Sequence, residues 1–383
     1  MKKTVKPVLP VLPVLPVATE QVAAEQAAPS RRVKKAKESS PSQDPFADLA
    51  IGPHHHHAVD HDGNPMFIHL GGYKRQEKDE RDAKYALRIH TAFSSGSFGA
   101  APPEVDNTPD CTPISDQGRL GSCTAHAVSA LIEHNEILAQ RRSSWGCEEE
   151  PRPLSFFQRF GKNFASLLAQ AKVESGPEGL VFKIPVTPVE QAAPAGPSVI
   201  RVSRDFQYYN TTKILGYPGK DQGGTLRSAV QVGSLYGFLD ERILPYTDDP
   251  RSFAKAPPKA DYTLARQHRI TSYHAIADGD LQTMKSVLAM GKIICFGFDV
   301  YENMMTQTMA LKGHLSRPAK TDKLLGGHAV ALVGYSDAKQ AFLVRNSWGV
   351  NWGNAGYFLM DYDYVGDPKM ASDFWVIESN AFA

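Results

Sequence analysis

A cysteine where a glycine-bearing loop meets a helix is the first candidate for chemistry in this sequence. Cys123 follows Gly121 and Ser122, and the residues after it carry an apolar stripe of helical spacing. The N–H groups at a helix N-terminus carry a positive partial charge, which favours a thiolate over a thiol. We therefore expect Cys123 to be a nucleophile with a lowered pKa. The alternative is a small buried apolar residue, which free cysteines often are.

A histidine and an asparagine late in the chain can supply the proton transfers that a thiolate needs. His328 heads an apolar run typical of a strand, and Asn346 ends the next β-prone run. An asparagine oxygen that accepts from the imidazole would fix the tautomer and the orientation of the ring. The indole of Trp348 can shield that hydrogen bond from water. The pattern predicts a nucleophile, a base and an orienting group.

The elements that would position these residues fall into two halves. Helical spacing at residues 123–140 and 225–239 gives way, from about residue 290, to short β-prone runs. This order predicts an α+β domain at 101–383, with a helical lobe from about 101 to 250 and a β-rich lobe from about 251 to 383. We expect an active cleft between the lobes.

Three regions do not have the apolar pattern of a folded core. Residues 1–65 hold a Val-Leu-Pro repeat, a basic run and a histidine-rich cluster, and we expect them to be disordered. Residues 66–100 read as a lead-in or a candidate propeptide, and the charged stretch from Gly71 to Asp82 is expected on the surface. Residues 141–200 read as an insertion that is partly ordered near 154–168.

The long extension before a nucleophile suggests self-inhibition. We expect part of residues 1–100 to lie across the cleft until it is removed or displaced. A plain linker or a secretion segment is the alternative.

Composition argues against several classes of protein. The 42 basic residues nearly balance the 41 acidic ones, which disfavours a nucleic-acid partner. No apolar run approaches the length of about 18 residues that a membrane-spanning helix needs. Four cysteines are too few for a disulfide framework, and whether Cys111 and Cys147 pair stays open. Prolines at every third position from Pro7 to Pro16 argue against a conventional signal peptide, which leaves cytoplasmic and exported locations open.

From about residue 101 to 377 the chain resembles the papain family of cysteine peptidases, especially its bacterial branch. Gln117 precedes Cys123 by six positions, as the family's oxyanion glutamine precedes its nucleophile. Asp221-Gln222-Gly223-Gly224 resembles the family's substrate-binding glycine loop. The most specific stretch is NSWGVNWGNAG, from Asn346 to Gly356. The resemblance implies a papain-like fold, with a helical left lobe, a β-barrel-like right lobe and the cleft between them.

The resemblance also implies a role for each matching residue. Cys123 would attack a peptide carbonyl to form a thioester, with His328 as its base and Asn346 orienting that base. The side-chain amide of Gln117 and the N–H of Cys123 would bind the oxyanion. A peptide or protein substrate would be bound by Gly223, Gly224, Leu226, Ala329 and Trp348. No metal and no cofactor are implied.

The chain departs from the family pattern at two positions beside the nucleophile. Thr124 stands where plant and animal relatives carry an aromatic residue, and Leu120 replaces a familiar cysteine. The separation of Cys123 from His328 exceeds the ~130–150 residues usual for the family, and the insertion at 141–200 accounts for most of the excess.

Three other functions fit some of the same residues. Cys123, His126 and His328 could bind a metal, although no fourth ligand stands at a telling spacing. The same triad could serve an acyltransferase or a deamidase. A non-catalytic binding protein could also retain a peptidase fold.

Overall fold

The structure is a computed structural model, and it describes residues 55–60, 62–82, 101–143, 172–176, 179–183 and 200–382. All of these residues belong to one compact unit, Ile51–Ala383. None of the helices within these ranges is both long enough and apolar enough to span a membrane.

Five of the eight α-helices in the described ranges lie before residue 266. Helix α1 carries the nucleophile candidate at its first residue and is buried along most of its length. Local sequence sets several of the other boundaries, because Ser203 and Thr225 cap the two helices that follow by accepting backbone N–H bonds. The α-helices are α1 Cys123–Ser143, α2 Arg204–Ile214, α3 Leu226–Leu235, α4 Pro250–Phe253, α5 Lys259–Ala265, α6 Leu281–Ala289, α7 Gln307–Lys312 and α8 Tyr362–Val365.

Most strands join one mixed sheet of eight strands, in the order β6-β12-β7-β9-β10-β11-β8 with β3 beside β9. Its β8–β11 pair is parallel and its other pairs are antiparallel. Two hairpins, β1–β2 and β4–β5, stand outside it. The strands are β1 His55–Val59, β2 Pro65–His69, β3 Glu104–Asp106, β4 Lys172–Gly176, β5 Gly179–Lys183, β6 His268–Ile276, β7 Ile294–Tyr301, β8 His314–Leu315, β9 Leu324–Ser336, β10 Ala341–Arg345, β11 Tyr357–Asp361 and β12 Ala371–Phe382.

Strand β9 contributes apolar residues to the cores on both faces of the sheet. Its alternate residues enter different apolar clusters: Val330 and Leu332 pack into one, whereas Ala331 and Val333 pack into the one that holds the apolar face of α1. This follows from the two-residue period of a strand. The helix and the sheet therefore share one buried interface, which brings the start of α1 to the strand that holds His328.

The observed architecture confirms the predicted α+β two-lobe fold, with most helices before residue 266 and the main strands after it. Strand β3 departs from the expected lobes because it pairs with β9 although it falls in the helical half. The β1–β2 hairpin starts at His55, inside the stretch 1–65 that composition marked as disordered, since backbone pairing with β2 supplies the order that composition does not reveal. Strands β4 and β5 lie in the 141–200 insertion, and residues 154–168 lie outside the described residues.

Candidate active site

Two glycines of the loop before α1 donate their N–H groups to carboxylates. Gly118 has a φ of 54°, a left-handed conformation that glycine adopts without strain, and its N–H donates to Asp116 Oδ1 over 2.9 Å. Further on, Gly121 N–H donates to Asp221 Oδ1 at 2.9 Å. Asp221 therefore ties the loop that precedes Cys123 to the loop at residues 221–224.

His328 is fully buried and held by two neighbours. Its Nε2 lies 2.8 Å from Oδ1 of Asn346, and the Trp348 ring stacks on the imidazole with 4.7 Å between centroids. The ring is therefore turned toward Asn346 as expected. Its Nδ1 is buried and makes no hydrogen bond within the described ranges, which leaves that nitrogen for proton transfer.

The sulfur of Cys123 lies at the same strand as His328. The backbone N–H of Ala329, the residue after His328, reaches the sulfur together with the N–H of Thr124. Cys123, Ala329 and Leu226 also share one buried apolar cluster. The nucleophile candidate and the strand of its base thus meet at the interface of helix and sheet.

Gln117 is positioned by the stretch that follows Asn346. Its backbone N–H donates to Ser347 O at 2.9 Å, and its side-chain Oε1 accepts from the Ser347 hydroxyl at 2.7 Å. Its Nε2 donates to Leu120 O at 3.1 Å. Because Ser347 Oγ donates to Oε1, the amide is oriented with its N–H groups toward the Cys123 loop. Nε2 has two N–H groups, so one remains for a ligand.

The glycine loop at residues 221–224 is held in place by Tyr208. Tyr208 accepts from the Gly223 N–H at 3.0 Å and donates to Asp221 at 2.6 Å. Gly223 has a φ of 73°, and an added Cβ at this position would lie 2.5 Å from the carbonyl oxygen of Gly71. The loop therefore needs glycine for its backbone and for the close approach of another chain segment.

That other segment is part of the N-terminal region. We call residues 69–76 the cleft segment. Gly71 N–H donates to Gly327 O at 3.0 Å, Gly224 N–H donates to Gly72 O at 2.8 Å, and Lys74 N–H donates to Gly224 O at 2.8 Å. The segment thus pairs with both the glycine loop and the head of β9, on either side of Cys123.

Tyr73 anchors the cleft segment. Its side chain is 5% exposed and belongs to the apolar cluster of Cys123. Its hydroxyl donates to Asp373 Oδ2 at 2.5 Å and lies 2.9 Å from Ser372 Oγ. The expectation that Gly71–Asp82 lies on the surface is therefore wrong for Gly72 and Tyr73, because backbone pairing across the cleft buries them.

Burial changes the electrostatics of Cys123 and His328. Loss of solvent raises the pKa of Cys123 to about 12, despite the N–H groups of Ala329 and Thr124 that lower it. Burial likewise lowers the pKa of His328 to about 4, while the hydrogen bond to Asn346 raises it. The expected lowering of the thiol pKa is not seen here, because both groups are covered and each is favoured in its neutral form.

His126 has other partners than a metal. Its Nδ1 lies 2.9 Å from Ser115 Oγ, and its ring meets Tyr246 edge-on at 4.8 Å. Within the described ranges, no group of three or more His, Cys, Asp or Glu side chains is arranged to hold a metal ion.

Sequence reasoning named eight of the residues that meet here and missed four others. The eight are Gln117, Cys123, Gly223, Gly224, Leu226, His328, Ala329 and Asn346. Those missed are Tyr73, Asp221, Ser347 and Asp373. Asp221 and Ser347 stand inside the two stretches that carried the resemblance, whereas Tyr73 and Asp373 have no such signal. Trp348 is 2% exposed and packs on His328 and Trp352, so a contact with substrate stays a prediction.

The chain is similar to a family model and to a viral protein. Residues 219–376 match the family model described as "Papain family cysteine protease". An uncharacterized peptidase C1-like protein of Acanthamoeba polyphaga mimivirus is 36% identical over 326 residues, covering 80% of this chain and 86% of that protein.

Two solved structures extend the comparison. Xylellain, a cysteine protease from Xylella fastidiosa, is 31% identical, with a TM-score of 0.59 over 81% of this chain and 96% of that one. ProCathepsin B of Trypanosoma congolense, at 15% identity and a TM-score of 0.50 over 82% of this chain and 87% of that one, shares the fold. The length and identity of the viral match and the bacterial structure place this chain in the papain family of cysteine proteases, which are hydrolases.

Proposed function

We propose that the chain hydrolyses peptide bonds through a Cys123–His328–Asn346 triad and a thioester acyl-enzyme. The proposal rests above all on the 2.8 Å contact between His328 Nε2 and Asn346 Oδ1. That contact occupies one ring nitrogen, whereas Nδ1 makes no hydrogen bond within the described residues. The backbone N–H of the next residue, Ala329, reaches the Cys123 sulfur. A thiol beside such an oriented imidazole is the arrangement that nucleophilic catalysis needs.

The chemistry follows from the groups at hand. The imidazole takes the thiol proton, and the thiolate of Cys123 attacks the carbonyl carbon, whose electrons move onto oxygen. The free N–H of Gln117 Nε2 and the backbone N–H of Cys123 receive that oxyanion, each contributing about 3–4 kcal/mol by analogy with other oxyanion holes. The imidazolium of His328 then protonates the departing amine. Water, deprotonated by the same ring, releases the acid and restores the thiol.

Substrate would take the place of the cleft segment. The cleft segment covers the residues expected to bind substrate, which are Gly223, Gly224, Leu226 and Ala329. Gly224 already pairs with the extended backbone of that segment. An extended peptide can make the same main-chain bonds, which is a recurrent way of binding peptides. Displacement of the segment is therefore the first step of the proposed cycle.

The cleft segment is also the proposed inhibitor. It blocks the cleft sterically, and by burying Cys123 and His328 it favours the neutral thiol and imidazole over the reactive ion pair. Ala58, Ile68 and Leu70, from the hairpin and its exit, pack into the main core. Point variants therefore test inhibition more cleanly than deletion of the hairpin, which would open that core.

An irreversible epoxide that alkylates papain-like thiols tests the triad. We expect the full chain to release a fluorogenic group from a peptide and to lose this activity as the epoxide labels Cys123. Cys123→Ala should abolish turnover and labelling. The Cys111→Ala variant is the matched control and should keep both, because the Cys111 sulfur donates to Asn107 O at 3.5 Å and contacts none of the proposed catalytic residues. Turnover that survives in Cys123→Ala, or turnover by the intact chain that requires an added metal, would refute the proposal.

A further inference from the structure

The ring of Tyr73 fills a pocket made by three strands in register. Gly297 of β7 stands opposite Ala329 of β9 on one side and Ser372 of β12 on the other. A Cβ added at Gly297 would lie 2.0 Å from Cζ of Tyr73, so only glycine leaves room for the ring. The pocket adjoins Cys123, because Gly72, the preceding residue of the cleft segment, touches its sulfur.

A carboxylate closes the far end of this pocket. Asp373 is reached by the Tyr73 hydroxyl at 2.5 Å and by the Gln76 N–H at 3.0 Å, both on Oδ2. Its own N–H donates to Asp278 Oδ1 at 3.0 Å. Burial raises the pKa of Asp373 to about 6. The far end of the pocket is therefore a half-buried acceptor that needs a donor.

An irregular stretch of backbone directs the Asp373 carboxylate into the pocket. The pairing of β12 with β7 shifts between Ser372 and Trp375, and Asp373 has a φ of 63°. A β-bulge turns a side chain away from its regular direction, and a left-handed conformation costs a non-glycine residue free energy. Strain of this kind concentrates at sites that use it, and the Asp278 contact helps to hold it.

We propose that Asp373 is the specificity-determining residue of this pocket and selects substrates that place a tyrosine in it. The inference rests on the proposed function, since it assigns a preference to the same cleft. The cleft segment supplies the chain's own example, because Tyr73 occupies the pocket with its hydroxyl on Asp373.

An acceptor that is left unpaired lets such a pocket discriminate between tyrosine and phenylalanine. A phenylalanine would fill the same volume but would leave the half-buried carboxylate without the donor that replaces water. A site built to bond a hydroxyl rejects the analogue that lacks it far more strongly than an apolar pocket rejects a missing methylene. We expect a preference for tyrosine over phenylalanine of about tenfold or more.

Competition between two peptides measures this preference on the full chain. The peptides differ only in tyrosine or phenylalanine at the position whose side chain enters the pocket. The ratio of their kcat/KM values does not depend on how much enzyme is open. Asp373→Gly removes the carboxylate and tolerates the positive φ, so its ratio should fall to about one. Asp363→Asn, on an exposed residue of α8, should keep the native ratio. Equal cleavage of both peptides by the native chain would overturn the inference and leave the triad standing.

Labelling of Cys123 gives a second readout that needs no turnover. In the full chain, Tyr73→Phe should speed alkylation of Cys123 by iodoacetamide about tenfold, because the cleft segment loses its anchor. Asp373→Gly should do the same, and the double variant should be no faster than either single one. Rates unchanged in Tyr73→Phe, or additive in the double variant, would overturn the inference. Absence of turnover with this labelling pattern intact would count against the proposed function alone.

Discussion

Gly72 lies against the sulfur of Cys123, so closely that a Cβ added to Gly72 would lie 2.9 Å from Sγ and 2.5 Å from the carbonyl oxygen of Gly121. The contact involves a backbone atom of the cysteine loop as well as the sulfur, so a side chain at this position cannot simply turn aside. The cleft segment can therefore cross the nucleophile only where its residue is glycine.

Gly72→Ala should release the cleft segment without disturbing the cleft itself. The added methyl group clashes with the Gly121 carbonyl oxygen, whereas the residue's negative φ accepts alanine without backbone strain. We expect faster peptide cleavage and faster epoxide labelling of Cys123, each by about tenfold or more, since overpacking costs typically ~1–3 kcal/mol. Lys78→Ala, at an exposed position beyond the segment, should leave both rates unchanged. Native rates in Gly72→Ala would argue against inhibition by this segment.

The pH dependence of alkylation should separate the closed state from the open one. Only the thiolate reacts, and the pKa of Cys123 at about 12 in the closed state keeps the thiol protonated at neutral pH. Labelling of the native chain should therefore keep rising through the alkaline range. In Gly72→Ala the thiol regains solvent and a chargeable His328, and burial no longer outweighs the helix N-terminus, so the thiolate is favoured. Its profile should shift to lower pH. Coincident profiles for the two proteins would contradict the electrostatic part of the inhibition.

Ser347 should act on catalysis through Gln117. Its hydroxyl holds Oε1 of that amide at 2.7 Å, so Ser347→Ala should let the amide turn and lower kcat about tenfold with little change in KM. Rates are to be referred to the amount of labelled Cys123, which removes differences in cleft opening. Ser115→Ala is the matched control, because its hydroxyl pairs with His126 instead.

A combined variant distinguishes positioning from a general loss of stability. Once Gln117 is replaced by alanine, Ser347→Ala should lower kcat no further, because its target is gone. An additive loss would mean that Ser347 acts elsewhere.

The fold could be predicted from the sequence, and four polar residues could be named as candidates for one site, because both inferences depend on local patterns. Helical and strand periodicity separates the two halves, and Asn346 and Gln117 sit in short motifs whose spacing to their partners is characteristic. The cleft segment could not be predicted in this way. Gly71-Gly72-Tyr73 followed by charges is typical of a surface loop, and its burial depends on pairing with Gly224 and Gly327, about 150 and 256 positions later.

Neither the proposed role of Asp373 nor the raised pKa of Cys123 could be predicted from the sequence. Asp373 reaches the pocket only because a bulge in β12 turns it there, and a bulge is a property of strand pairing rather than of one residue. The helix N-terminus correctly indicates a force that lowers the pKa of Cys123, but burial under the cleft segment outweighs it. Tertiary contacts decide both outcomes.

A buried ion pair in the helical half gives a test of stability apart from catalysis. Glu133 of α1 is fully buried, 2.9 Å from Arg204 Nη2, and it also accepts the Val202 N–H at 2.9 Å. Burial alone would raise the pKa of Glu133, but the charges of Arg204 and Arg201 prevail and lower it. Glu133→Gln keeps the shape of the side chain and removes the nearer counter-charge of the buried Arg204 guanidinium, which then has only Glu241 at 3.9 Å. We expect the free energy of unfolding to fall by about 3–5 kcal/mol at neutral pH.

The lowered pKa of Glu133 determines the direction in which its contribution to stability changes with pH. Because the folded pKa of Glu133 lies below the unfolded value of 4.5, its contribution is fully present above that pH. It is lost as the pH falls through the folded pKa, so the difference in unfolding free energy between Glu133→Gln and the native chain should shrink on acidification. Denaturant titrations at neutral and acid pH measure it. Glu302→Gln, in an exposed pair with Lys323, should change stability by less than about 1 kcal/mol at either pH. A Glu133→Gln variant as stable as the native chain at neutral pH would show that the pair contributes no net stability.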